Sequence, residues 1–277
     1  MQKIKLELLS QIIGIGSASG LIYKDNSLYI IGDNSGYLYE YLLDSNDLKR
    51  YPLLENPAEN IIKKDKPDYE AITSYGEDLY IFGSGSTEKR NGMIRFNAIT
   101  KNLISTYDLT DLYAVMQSFA KVNQTDFNLE GAIYDGKSWY LFNRGNGSNN
   151  RNVLFIIEGQ NLIKDFKIRS TDYKLPKIKG ITTSFTDAIL VNNTIYFLAT
   201  AEDTKSTYDD GEVMGSIIGG IDLRTMKITF TKKISDNHKF EGLTIWSQSI
   251  DKIEFLLCED KDTNILETTI YKLTLNL

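Results

Sequence analysis

The chain is 277 residues long, 42% hydrophobic and 25% charged, the balance of a folded globular protein and not of a disordered or membrane-embedded one. Its formal net charge of −6 disfavours nucleic acid as a main partner, because affinity for phosphate backbones comes from clustered Lys and Arg. The single cysteine, Cys258, rules out an intrachain disulfide and a cysteine-rich zinc site, and its apolar setting reads as a buried, inert thiol.

No run of about 18 apolar residues is present, and Met1 to Lys5 leads into an alternating segment rather than a leader, so a cytoplasmic protein without a membrane anchor is expected. The first segment, Ile4 to Leu8, alternates apolar and charged residues like a half-buried strand that lacks a partner nearby. Ser19 then opens a unit of four strands: residues 21–23, 28–31, 37–42 and 48–51, separated by turns rich in Asp, Asn and Ser. A second unit follows Glu70, with strands at 79–82, 93–96 and 103–107. Between it and the third unit, Thr110 to Phe119 has helical spacing, with Leu112, Val115, Met116 and Phe119 on one stripe and Thr110 or Asp111 as cap. This insertion, near residues 110–121, is read as a lid or as packing over a channel mouth.

The third unit starts at Glu130 and places its later strands at 153–157 and 162–166; the fourth starts at Asp187, with strands at 195–198, 217–221 and 228–230. The fifth starts at Glu241, continues through 253–256 and 269–273, and is one strand short. Each unit therefore opens with an oxygen-bearing residue followed by Gly or Ala and an apolar run, at intervals of about 55 residues, the period of an array such as a propeller. In the first three units a tyrosine (Tyr29, Tyr80, Tyr140) stands ten residues after that anchor. The spare first strand completes the short last unit and removes two open edges, so the expectation is an all-β, five-bladed β-propeller spanning residues 1–277 as one domain.

Strand direction predicts the site. The anchors begin the innermost strands, so Ser19, Glu70, Glu130, Asp187 and Glu241 should meet near the axis, ringed by the loops that follow the second strands. Those loops offer Asp33, Asn34, Asn143, Arg144 and Glu259 as ligand-binding residues. Four carboxylates held together take up protons or hold a cation, and an all-oxygen set suits Ca2+, or Mg2+ with retained water, rather than zinc. The plain alternative makes these side chains acceptors for backbone N–H groups or ion-pair partners of Arg144 and Arg151. Basic residues on the rim, including Lys66, Lys89, Arg90, Lys205, Lys239 and Lys261, suit a small phosphorylated or carboxylated ligand bridging the ion, or a protein partner on the channel face. His238 and Arg144 are the catalytic candidates; a solvated loop histidine is the plain reading of the former. The acidic loop 202–211 is read as a rim with room for a second ion. A monomer is expected. A glycosidase fits less well, since Trp139 and Trp246 fall inside strands and not on a sugar cleft.

The inner-strand starts Glu70-Ala71, Glu130-Gly131 and Glu241-Gly242 resemble those of an uncharacterised family of bacterial β-propeller proteins related in pattern to phytase-like and esterase-like propeller domains. The ring is also similar to that of the calcium-activated apyrases, which hydrolyse nucleoside di- and triphosphates. That similarity implies Ca2+ ligation by Ser19, Glu70, Glu130 and Glu241, with Asp187 standing where a hydroxyl is expected, and metal-dependent phosphoester or phosphoanhydride hydrolysis as an alternative to simple binding.

Overall fold

A computed structural model describes residues 3–276 except 165, 166, 205, 207–210, 262 and 264. Five antiparallel sheets form a five-bladed β-propeller. The chain begins with β1 (Ile4–Ile13), which waits for the end of the chain. Blade 1 is β2 (Ala18–Lys24), β3 (Ser27–Gly32), β4 (Tyr37–Leu42) and β5 (Asp47–Pro52). Blade 2 is β6 (Tyr69–Tyr75), β7 (Asp78–Gly83), β8 (Gly92–Asn97) and β9 (Asn102–Asp108). Blade 3, after helix α1 (Thr110–Ala120), is β10 (Leu129–Tyr134), β11 (Ser138–Asn143), β12 (Asn152–Glu158) and β13 (Lys167–Tyr173). Blade 4 adds a short hairpin strand, β14 (Lys177–Ile178), to β15 (Ile181–Val191), β16 (Thr194–Asp203), β17 (Glu212–Asp222) and β18 (Lys227–Ser235). Blade 5 is β19 (Phe240–Gln248), β20 (Lys252–Glu259) and β21 (Glu267–Asn276), completed by β1 in a register running from Ile4 opposite Leu275 to Ile13 opposite Glu267. The ring thus closes through both ends of the chain, as the spare first strand implied.

The innermost strands β2, β6, β10, β15 and β19 each touch the next, and β19 returns to β2. So tight a circle leaves no room for side chains on some axial positions. A Cβ on Gly242 would lie 2.5 Å from Leu21 Cδ2 and 3.0 Å from Gly20 Cα, and one on Gly131 would lie 3.3 Å from Ala188 N. This steric demand, not the site's chemistry, explains why Gly or Ala follows the anchors. Outward from the axis the blades pack through aromatic layers: Trp139 of blade 3 meets Tyr80 and Phe82 of blade 2 edge-on at 5.0 and 5.8 Å, and Phe185 of blade 4 meets Phe142 of blade 3 edge-on at 5.3 Å. Cys258 is fully buried, and burial pushes its thiol well up, which fits the inert role read from its setting.

Three local expectations are corrected. The outer strand of blade 3 is Lys167–Tyr173 and not residues 162–166, of which Asp165 and Phe166 lie outside the described residues. An outermost strand is half exposed and alternates polar with apolar residues, as Lys167–Tyr173 does, whereas Leu162 is buried in the cluster around Trp139. The N-cap position of α1 is Leu109, which has no capping side chain, rather than Thr110 or Asp111; Asp108, one residue earlier, accepts the Thr110 N–H on its Oδ1 at 2.9 Å instead. The helix buries Leu112, Tyr113, Met116 and Ala120, leaving Val115 and Phe119 exposed, because Tyr113 is drawn inward to Phe127 and donates from its hydroxyl to Gly83 O at 2.9 Å. Among the described residues, no helix is long and apolar enough to cross a membrane.

The closeness of the inner strands is testable at Gly242. Gly242→Ala should lower the stability to denaturant by about 1–3 kcal/mol, the usual cost of overpacking, with an unchanged dependence on denaturant concentration; a neutral effect would mean that the axis is looser than described.

Candidate functional site

Each innermost strand carries a β-bulge at the same place, where one extra residue is left out of the pairing with the second strand. The skipped residues are Ser19, Glu70, Glu130, Thr186 and Glu241. A bulge bends the strand and re-aims the extra side chain. In blade 4 the bulged residue is Thr186, so Asp187 falls in the slot that Gly20, Ala71, Gly131 and Gly242 fill elsewhere. From there its carboxylate turns to backbone, accepting from Leu243 N at 2.6 Å and Ala188 N at 2.7 Å. The two hydroxyls act alike: Ser19 donates to Tyr69 O and Thr186 to Phe240 O, each tying its blade to the residue before the next blade's glutamate.

Glu70, Glu130 and Glu241 line one polar cavity of about 390 Å3 at the end of the channel where the inner strands begin. Two further layers join them. Two residues before the bulge stand Ser17, Asp68, Asn128 and Lys239; opposite, after the second strands, stand Asp33, Arg144 and Asp260, whose amide N–H groups bond to the carbonyls of Ser17, Asn128 and Lys239. Blade 4 adds Glu202 from farther along β16. Among the described residues the cavity wall thus holds seven carboxylates and five cationic side chains.

Cations sit between carboxylates. Lys66 pairs with Asp33 and, at 2.8 Å, with Asp68, which also takes Arg90 at 2.9 Å. Lys239 bridges Glu241 and Asp260, both at 3.1 Å. Arg144, 5% exposed, reaches Glu130 at 3.1 Å, Glu241 at 3.6 Å and Glu202. Burial works against the ionised form of Asp68, but Lys66 and Arg90 outweigh it and hold the carboxyl below its ordinary range. Burial likewise opposes charge on Lys66, and Asp68 and Asp33 overcome it, keeping the ammonium charged above the usual lysine range.

Glu70 has no such support: among the described residues it makes no ion pair and no hydrogen bond. Burial first, then repulsion from Glu130, Asp68, Asp33 and Glu241, pushes its carboxyl well above the ordinary 4.5. Burial also raises Glu241 well above that value despite Lys239, and raises Glu130 despite Arg144. One oxygen from each of Asp33, Asp68 and Glu70 lies within 4.8 Å of the others, a spacing that could hold a metal ion. Asp33 Oδ1, Asn146 Oδ1 and Arg144 Nε, all on residues of the cavity wall, are buried without a hydrogen-bond partner.

Of the expected site residues, the cavity brings together Glu70, Glu130, Glu241, Asp33, Asn34 and Arg144. Ser19 and Asp187 are held by backbone beside it. Asn143 is a fully buried loop clamp: its Nδ2 donates to Asp126 O, Arg144 O and Arg151 O, and its Oδ1 accepts from Asn128 N. Glu259 lies off the cavity, bonded to His238 Nδ1 at 2.6 Å and to the Tyr271 hydroxyl at 3.2 Å, so His238 is set against Glu259 and not against the ring. Helix α1 lines none of the cavity; the link between blades 1 and 2 covers it instead, through Asn60, Ile61, Ile62, Lys63 and Lys66. Of the acidic loop, Lys205 and residues 207–210 lie outside the described residues. Sequence reasoning did not assign Asp68, Asn128 and Asp260 to the site and read Glu202 only as part of a rim loop; the available signal was the two-residue offset of Asp68 and Asn128 from Glu70 and Glu130.

Residues 14–275 match the model of the family described as a family of unknown function, DUF6929, and the chain belongs to that family. No curated protein matches it. Among solved structures, the major allergen Mala s 1 of Malassezia sympodialis is similar over 96% of both chains, with a TM-score of 0.56 and 11% identity, a likeness of fold alone. A luciferin-regenerating enzyme is similar over 98% of this chain and 95% of its own, with a TM-score of 0.48 and 7% identity.

Because Glu70 has a folded-state pKa above its unfolded one, its contribution to stability is fully present below pH 4.5 and is lost as pH rises through the folded value. Glu70→Gln should therefore melt higher than the parent at pH 7, and the gain should vanish on acidification below 4.5; thermal melts across that range check the sign.

Proposed function

We propose that this member of the family binds a divalent cation, Ca2+ or Mg2+, at Glu70 together with Asp33 and Asp68, with Glu130 and Glu241 on the same cavity wall, and that the ion recruits a small anionic ligand into the cavity. The observation that carries this reading is Glu70, the one cavity carboxylate without a cation or donor among the described residues. Among the described residues the wall carries more carboxylates than cations, an excess that a divalent ion would offset. The donors are oxygen only, with no His or Cys on the cavity wall, which favours Ca2+ or Mg2+ over zinc. Arg144 Nε, buried and without an acceptor among the described residues, is a group on this wall suited to an incoming anion.

The register supports the resemblance to the calcium-activated apyrases more closely than the sequence did. With Thr186 in the bulge, the five positions read Ser19, Glu70, Glu130, Thr186 and Glu241, and the expected hydroxyl falls on Thr186 instead of Asp187. The second reading is therefore metal-dependent hydrolysis of a phosphoester or phosphoanhydride, in which the ion polarises the phosphoryl group and Arg144 offsets its charge. His238, engaged with Glu259, has no part in that scheme.

Ca2+ at about a hundred times its dissociation constant should stabilise the protein by about 2.7 kcal/mol, a rise in melting temperature of about 5–10 °C. Glu70→Gln should abolish the rise, and no rise for the parent protein in Ca2+ or Mg2+ refutes the cation. Turnover of a nucleotide and phosphoester panel that appears with Ca2+ and stops with chelator selects the hydrolase; binding without turnover selects the ligand-binding protein.

A further inference from the structure

Blade 1 ends at Pro52 and blade 2 begins at Tyr69, and the segment between them crosses the cavity without a strand or helix of its own. Its first half is fastened to blade 1, with Gly36 N donating to Ala58 O at 2.9 Å, the Tyr37 hydroxyl donating to Pro57 O at 3.2 Å, and Glu59 paired with Arg50 at 2.9 Å. Residues 61–67 are tied through Ile61 N to Asn34 O at 2.8 Å, Arg90 to Lys63 O at 2.7 Å and Lys89 to Asp65 at 3.6 Å. Ile62 is 58% exposed and contributes little burial. The tie that reaches deepest is Lys66, whose ammonium enters the acidic centre and is shared by Asp33 and Asp68.

These two carboxylates are also two of the three whose oxygens come within 4.8 Å of one another, the third being Glu70. A tethered ammonium therefore stands on two of the three groups that a divalent cation would use. Both species are positive and need the same oxygen lone pairs, so one excludes the other from Asp33 and Asp68.

We infer that Lys66 is a latch: its ammonium holds residues 61–67 closed over the cavity by acting as a built-in cation, and a divalent ion entering beside Glu70 competes with it and frees this segment. This rests on the cation reading above and adds to it the rule by which the site opens. With Lys66 in place, the acidic centre is divided into a compensated half at Asp33 and Asp68 and an uncompensated half at Glu70. The incoming ion first meets the second half, then draws the first half away from the lysine. An anionic ligand gains entry once the segment lifts, so loading of the ion precedes loading of the ligand.

The test is hydrogen–deuterium exchange of the peptide covering residues 58–66, with Ca2+ as the only probe, in the parent chain, Lys66→Met and Lys66→Arg. In the parent, saturating Ca2+ should speed exchange there by about tenfold, within the range usual for coupling between two binding events. Lys66→Met should exchange fast without Ca2+, show no further response to it, and bind Ca2+ about tenfold more tightly. Lys66→Arg, which keeps the charge and the reach, should behave like the parent. Slower exchange of the parent segment in Ca2+, or Lys66→Met exchange at the parental rate, overturns the latch while leaving the cation site standing. Fast exchange in Lys66→Met with no Ca2+ binding by either protein overturns the cation reading and, with it, the competition, reducing Lys66 to a structural tie.

Discussion

Five strands brought side by side around one axis cannot all carry side chains there, and the remaining features of the molecule follow from how that crowding is relieved. The relief is a repeated device: one extra residue is looped out of each inner strand, directly before a position where Gly20, Ala71, Gly131 and Gly242 admit close approach. The looped-out residue escapes the tight circle and is free to be long. Where it is glutamate it reaches the cavity; where it is Ser19 or Thr186 it bonds to the neighbouring backbone and ties blades together. One backbone irregularity thus supplies both the mortar between blades and the acidic groups of the site.

The same device explains what the sequence disclosed and what it concealed. Blade number, closure by the first strand and three of the four proposed carboxylates were legible because a long polar residue followed by a tiny one is a rare pattern with a steric cause. Unit 4 misled because Asp187 followed by Ala188 imitates that pattern one residue too late, and only pairing of Phe185 with Ala199 and Asp187 with Leu198 identifies Thr186 as the residue left out. Loop residues were subject to the same parity. Asp33, Arg144 and Asp260 face the cavity, whereas Asn143 and Glu259, each one position earlier than Arg144 and Asp260, turn away from it, so reading the ends of the second strands without their register chose correctly in one blade and missed in another. Lys66 was legible only as one of several basic residues on the rim; that it enters the acidic centre depends on a connection without regular structure.

Electrostatics then decides what such a cavity can be. Seven acids on one wall would be prohibitive unless compensated, and the structure compensates them by interleaving: Lys66 and Arg144 stand between acids of different blades, while Arg90 and Lys239 serve acids of their own. Arg144 alone draws on blades 3, 4 and 5 through Glu130, Glu202 and Glu241. Such bridges cross between sheets that otherwise meet through apolar layers, so the charge network and the blade arrangement constrain each other.

A network of this kind is stiff where every group is shared and responsive where one is not. Arg144 answers to three carboxylates and is buried among them, which makes it a fixed point. Lys66 answers to two, and it hangs from a connection with neither strand nor helix. The group without support, Glu70, lies beside that movable cation, with Asp33 and Asp68 near enough to be shared by either. Placing the unbalanced acid next to the movable cation concentrates the sensitivity of the whole centre at the cavity mouth, where a change in charge can alter access without disturbing the ring beneath it.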